Sequence, residues 1–222
     1  AGQAMDADLV AALEYLQGRY PKDPAWVEKL GYIYLVKGDN KRADNVLEPL
    51  LEGGSAVSIR ALNMAAEAAR SQGNSQKSVR VLETARTLYP DDATVLNNLI
   101  YSLGQNHETA DRALEMLPEL LKKHAGHYEV LDTAAMVYLR NGRLDEADAF
   151  MRKAIAGLPV ASTGYAPVEV RLNAVEILMR KDELDEAAEM LDVVDSTPDK
   201  PAFLENVAHE LRRQLDLRTT KQ

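Results

Sequence analysis

Apolar residues along this chain recur at spacings of three and four, the period of a helix face rather than of a strand. The clearest run reads Leu131, Ala134-Ala135, Tyr138, then Asn141-Gly142, then Ala147, Met151, Ala154 and Pro159. It describes two helices around a turn, because Asn-Gly ends one helix and lets the next begin. The same order appears earlier as Leu30-Gly31, Tyr34, Gly38-Asp39, Ala43 and Leu47. It returns as Ala65-Ala66, Ala69, Gly73-Asn74, Ser78, Leu82, Ala85 and Pro90. Further copies are Leu99-Ile100, Leu103, Ala113, Leu117 and Leu120, and Ala174-Val175, Leu178, Ala187, Leu191 and Val194. The small residue of each second helix falls at 43, 78, 113, 147 and 187, in steps of 35, 35, 34 and 40.

A period of about 34 with this order of small and large positions is what stacked helix pairs require. Small residues such as Ala66, Ala135 and Ala147 let helix axes approach, while Tyr34, Tyr138, Leu47 and Leu82 fill the space between repeats. On these residues the chain resembles the tetratricopeptide repeat (TPR) family over about residues 5–217. The third copy departs from the family pattern, with Ile100 at a small position and one extra residue before its second helix. The fifth departs further, with Arg171, Val175 and no turn glycine. The resemblance implies an all-α fold: an elongated, right-handed α-solenoid of helix-turn-helix repeats with about twelve helices. Its repeats would span residues 24–58, 59–92, 93–127, 128–167 with an extended loop, and 168–199. Residues 5–22 would form a helix of an incomplete N-terminal repeat or a cap, and 200–218 a C-terminal capping helix.

Leu9, Leu13 and Leu16 occupy the second-helix positions of a preceding repeat, and Pro21 its closing proline. Either the chain starts inside a longer array or this helix is a cap. Its apolar face lacks a first helix of its own, so self-association through this end is expected. At the other end Phe203, Leu204, Val207, Leu211 and Leu215 make an apolar stripe with a charged opposite face, as a cap needs. The step of 40 places an insertion of about six residues near Val160 to Pro167. It reads as a surface loop, with Tyr165 as a contact candidate. Pro49 and Pro118 share one register and should each sit inside a second helix as a tolerated kink.

Composition removes several function classes. The 222 residues are 46% hydrophobic and 5% aromatic, which suits packed helices better than strands. Cysteine is absent, so disulfides, thiolate metal sites and cysteine nucleophiles are excluded. The net charge of −9 argues against nucleic acid and against anionic membranes. No apolar run reaches the roughly 18 residues of a membrane span, and no basic start leads into an apolar stretch. Neither a signal peptide nor direct membrane insertion is therefore read here. The compartment stays open between a bacterial periplasm or envelope and the cytoplasm. Among the 4 His, only His124 and His127 have a ligand-like spacing, and no carboxylate cluster completes a site. No phosphate loop, nucleophile elbow or triad is visible. No metal, cofactor or catalytic residue is expected.

What remains is surface. The resemblance implies that first helices line a concave groove. By register the groove would present Tyr32, Arg60, Asn63, Arg70, Asn97, Asn98 and Tyr101, then Asp132, Met136, Arg140, Asn173 and Arg180. Glu28, Lys29, Glu67 and Glu176 fall on the same positions. An asparagine amide donates and accepts at once, so Asn63, Asn97, Asn98 and Asn173 suit pairing with the backbone of an extended peptide. Arg60, Arg70 and Arg140 suit acidic side chains. The lysines of a chaperone carboxylate clamp are missing, with Glu28 and Glu67 in such places. The expected function is a non-catalytic protein-interaction scaffold that binds a peptide or protein. The alternative is a module of bacterial exopolysaccharide secretion, touching polysaccharide or a polysaccharide-modifying enzyme. The elongated shape is checked by small-angle scattering. A compact domain of 222 residues would have a radius of gyration of roughly 17 Å, and this chain should exceed it clearly.

Overall fold

The computed structural model describes residues 2–52, 57–159, 165–198, 200 and 202–220, with the side chains of 2–6, 165, 202 and 203 left aside. Of the insertion read near Val160 to Pro167, residues 160–164 and the side chain of Tyr165 lie outside the described residues, as does the side chain of Phe203. The described residues form twelve helices and no strand. In chain order they are α1 (Gly2–Arg19), α2 (Pro24–Val36), α3 (Asn40–Leu51), α4 (Ile59–Ser71), α5 (Ser75–Leu88) and α6 (Ala93–Gly104). They continue as α7 (Ala110–His124), α8 (Tyr128–Arg140), α9 (Leu144–Ala156), α10 (Tyr165–Arg180), α11 (Leu184–Ser196) and α12 (Ala202–Thr219).

The chain divides into two compact units, Ala1–Ser102 and Leu103–Gln222. In the first, α1 to α5 pack on one another in turn, and the first helices α2 and α4 also touch. In the second, α7 to α11 pack on one another in turn, α10 touches α8, and α12 lies on both α10 and α11. Neighbour-only contact is how a solenoid assembles its core.

Local chemistry explains the helix boundaries. Side-chain oxygens of Asp23, Asp39, Ser58 and Asn74 accept from the backbone N–H groups of Ala25, Arg42, Ala61 and Lys77, capping α2 to α5. α9 and α11 have no such cap; Asp145-Glu146 and Asp185-Glu186 fill their first turns and face the positive end of the dipole. The turns between α2 and α3, α4 and α5, α8 and α9, and α10 and α11 repeat one hydrogen bond. Asp39 N donates to Tyr34 O (2.8 Å), Asn74 N to Ala69 O (2.9 Å), Arg143 N to Tyr138 O (2.9 Å) and Glu183 N to Leu178 O (3.0 Å). That closure needs a left-handed residue. Gly38, Gly73 and Gly142 supply it at φ of 72°, 75° and 72°. In the fifth repeat Asp182 supplies it at 64°, so the missing turn glycine changes the residue and not the turn.

The register of small residues is the register of closest packing. Ala43, Ser78, Ala113, Ala147 and Ala187 are all 0% exposed. At the crossing of α2 and α3, a Cβ on Gly31 would come within 3.0 Å of the buried Leu47 side chain. Where the small residue is Ser78, its hydroxyl needs a partner. Ser102 Oγ meets it at 3.1 Å in the interior. Pro49 lies inside α3 and Pro118 inside α7, as their shared register requires.

The terminal helices depart from expectation in detail. On α1, Leu13 is buried against Leu30, Tyr34, Ala43 and Ala68, whereas Leu9 is 51% exposed. The apolar face is open at Leu9 and closed at Leu13. On α12, Leu204, Ala208 and Leu215 are buried and Leu211 packs beside them. Val207 is 43% exposed, so the expected stripe is corrected to 204, 208, 211 and 215. Steps of four, three and four hold one narrow face of a helix, and Val207 falls at its edge. Asp182 gives a test: Asp182→Gly should stabilise the chain by about 0.5–1 kcal/mol, and Gly142→Asp should destabilise it by a similar amount, read by thermal melting.

Candidate partner-binding surface

In the first compact unit, burial of one face of each first helix aims the other face outward. α2 buries Val27, Leu30, Gly31 and Tyr34, which leaves Lys29, Tyr32 and Val36 exposed. α4 buries Ala61, Leu62, Met64, Ala65, Ala66, Ala68 and Ala69. Arg60, Asn63, Glu67 and Arg70 remain, at steps of three and four on one face. α6 buries Val95, Leu96, Leu99 and Ile100, leaving Asn97, Asn98 and Tyr101.

These outward groups hold one another. The Arg60 guanidinium lies 5.6 Å from the centre of the Tyr32 ring. Asn98 Nδ2 donates to Asn63 Oδ1 at 3.0 Å. Arg70 donates twice to Glu67, at 3.0 and 2.8 Å, and stacks 5.1 Å from the Tyr101 ring centre. Ser58 Oγ donates to Glu28 Oε1 at 2.6 Å. Asn97 Oδ1 is buried without a hydrogen-bond partner.

The second compact unit treats the equivalent positions differently. α8 is covered almost all round, so Asp132 (6%) and Met136 (2%) sit in the interior and not on an open face. Asn173 Nδ2, from α10, donates to both Asp132 oxygens at 3.0 and 3.1 Å. Arg140 makes a two-pronged bond to Glu176 at 2.6 and 3.0 Å, and Arg180 adds a third at 3.1 Å. The arginines of this row are thus already committed to a carboxylate.

Sequence reasoning placed these residues on first helices but missed their mutual pairing. The signal was present as spacing. Asn63 and Asn98 are 35 apart, Arg140 and Glu176 36, and Asp132 and Asn173 41. The first interval is one repeat, and the other two run from α8 to α10 across the insertion. A cavity of about 230 Å³ was also not foreseen. It lies between α9, α10 and α11 and is lined by Met151, Ile155, Ala174, Ile177, Leu178 and Met190, with Asp148, Arg152 and Glu186. The His124 and His127 ring centres stand 6.1 Å apart. Among the described residues no group of three or more His, Asp or Glu is arranged to hold a metal, and no helix is long and apolar enough to cross a membrane.

Residues 128–156, which are α8, its turn and α9, match the tetratricopeptide repeat family model. No curated protein matches the chain. Solved structures do. A tetratricopeptide repeat protein from Parabacteroides merdae superposes with a TM-score of 0.69 at 16% identity, over 98% of this chain and 82% of its own. TTC0263, a thermophilic TPR protein of Thermus thermophilus, gives 0.68 at 18% identity, over 85% of this chain and 98% of its own. Acl4, an assembly chaperone of RpL4, gives 0.57 at 16% identity, over 98% and 94%. The fold is that of a tetratricopeptide-repeat solenoid.

On the second-helix side of the second compact unit, charges bind successive repeats. Lys181 Nζ lies 2.7 Å from Asp148, and Arg152 reaches Asp148, Glu183 and Glu186 at 3.0, 2.9 and 3.0 Å. Burial pushes the Asp148 carboxyl up, but hydrogen bonds from Lys181 and Arg152 outweigh it and hold the group below its ordinary 3.8. A carboxyl depressed in the folded state stabilises above its unfolded value and loses that contribution as pH falls through its folded value. Thermal stability should therefore drop as pH is lowered below about 4. Asp148→Asn should lower stability at neutral pH and flatten that acid slope, measured by melting across a pH series.

Proposed function

We propose that this chain, an array of tetratricopeptide repeats, is a non-catalytic scaffold that binds a protein or peptide on the face of its first helices. One observation carries the reading. The outward side chains of α2, α4 and α6 are held in place by cross-repeat bonds while aromatic and aliphatic surface stays open beside them. Asn98 is fixed by Asn63, and Tyr101 by Arg70, while Tyr32 and Val36 are 52% and 50% exposed. A surface ordered before binding loses less side-chain entropy when a partner arrives. Acl4, which shares this fold, is an assembly chaperone of another protein, RpL4, and that use of the fold supports a protein partner here.

The test replaces Asn97 and Asn98 with Ala. Losing the Asn63–Asn98 bond should cost about 1 kcal/mol of stability, which leaves the fold intact. A partner recovered by pull-down from the native host should bind the double variant about tenfold more weakly, since each lost backbone pairing removes about 0.5–1.5 kcal/mol. Equal affinity for both proteins would move the site off this face.

A further inference from the structure

The cations on the first-helix face of the first compact unit are not equivalent. Arg70 is tied to Glu67. Lys29 and Arg60 have no carboxylate within ion-pair distance among the described residues, in a chain with 35 acidic and 26 basic side chains. Each rests on an aromatic ring instead. Lys29 Nζ lies 5.5 Å from the centre of the Trp26 ring, and the Arg60 guanidinium 5.6 Å from that of Tyr32. Tyr32 is one helical turn beyond Lys29 on α2 and lies under Arg60, so the three residues fall on one face. Val36 continues the same face one turn further, and Lys29, Arg60, Tyr32 and Val36 are all exposed. Glu28, next to Lys29 on α2, has its Oε1 engaged by the Ser58 hydroxyl.

We infer that Lys29, Arg60, Tyr32 and Val36 form an anchor for an acidic, extended peptide segment. A partner carboxylate takes the unspent donors of Arg60 and Lys29. An apolar side chain next to it covers Tyr32 and Val36. A guanidinium on a ring keeps its N–H edge free for an acceptor, so stacking orients the group without consuming it. The charge pattern favours a peptide over a nucleic acid. Two cations beside Glu28 suit one or two carboxylates, whereas a phosphate backbone is held by many cations acting together. This inference rests on the proposed binding role of the first-helix face and names the partner's chemistry.

The experiment uses the full chain and three fluorescein-labelled probe peptides, alternating Glu-Leu, Gln-Leu and Lys-Leu, read by fluorescence anisotropy. The Glu-Leu peptide should bind about tenfold or more tighter than the Gln-Leu peptide, with the gap narrowing as salt rises. Lys29→Gln with Arg60→Gln should erase that preference while leaving Gln-Leu affinity within about twofold, because both residues are exposed and outside the core. Arg80→Gln, an exposed cation on α5, should leave the preference intact. Equal binding of Glu-Leu and Gln-Leu by the wild type, or a preference that survives the double change, would overturn the anchor and leave peptide binding to this face standing. Failure of all three peptides to bind would overturn both. Tighter binding of a single-stranded oligothymidylate than of the Glu-Leu peptide would also overturn it, by assigning the patch to nucleic acid.

Discussion

Everything in this molecule depends on how closely two helices can cross at one small residue per repeat. Ala43 and Ser78 in the first compact unit, and Ala113, Ala147 and Ala187 in the second, are wholly buried. A larger side chain at any of them would push the second helix away from its neighbours, because interiors are packed too tightly to absorb added volume. Ser78 shows how strict the demand is. A polar group is accepted at this position because it is small, and Ser102 then supplies the hydrogen bond that its burial requires.

Close crossing has a consequence for the polar face. Once adjacent first helices are held near one another, side chains one repeat apart come within bonding distance. Asn63 meets Asn98, Asp132 meets Asn173, and Arg140 meets Glu176. The second-helix side follows the same rule, with Lys77 on Asp44 and Lys181 on Asp148. Such pairs select the repeat register as well as adding stability, because they join groups a full repeat apart and are largely shielded from water. They also decide which charges are left for a partner. Arg70 and Arg140 are occupied by carboxylates of their own chain, and Arg60 is not.

Helix type, turn position and the packing row were legible in the sequence because they are local or strictly periodic. The interval of about 34 residues placed Ala113 and Ala147 in the core without any knowledge of their neighbours. The fifth repeat's departure kept the pattern: Asp182 adopts the left-handed turn that Gly142 adopts, because the Leu178–Glu183 hydrogen bond demands it. The site was legible only as a set of positions. Tyr32 and Arg60 were assigned to the same face, yet nothing in their spacing said that one would stack on the other.

The amino-acid order by itself determined an all-helical array, its turns and its buried small residues, since these follow from periodicity and backbone preference. Only the tertiary structure decided which polar groups face each other, because that depends on the distance and rotation between helices a full repeat apart. It buried Met136 and Asp132, which a helical wheel had turned outward, because α8 is covered on nearly every side. It closed the apolar face of α1 at Leu13 and left Leu9 open, since only the former reaches the row of Leu30 and Tyr34. Separating free from committed cations needed coordinates for the same reason: an arginine's partner lies one repeat away in sequence and within 3 Å in space.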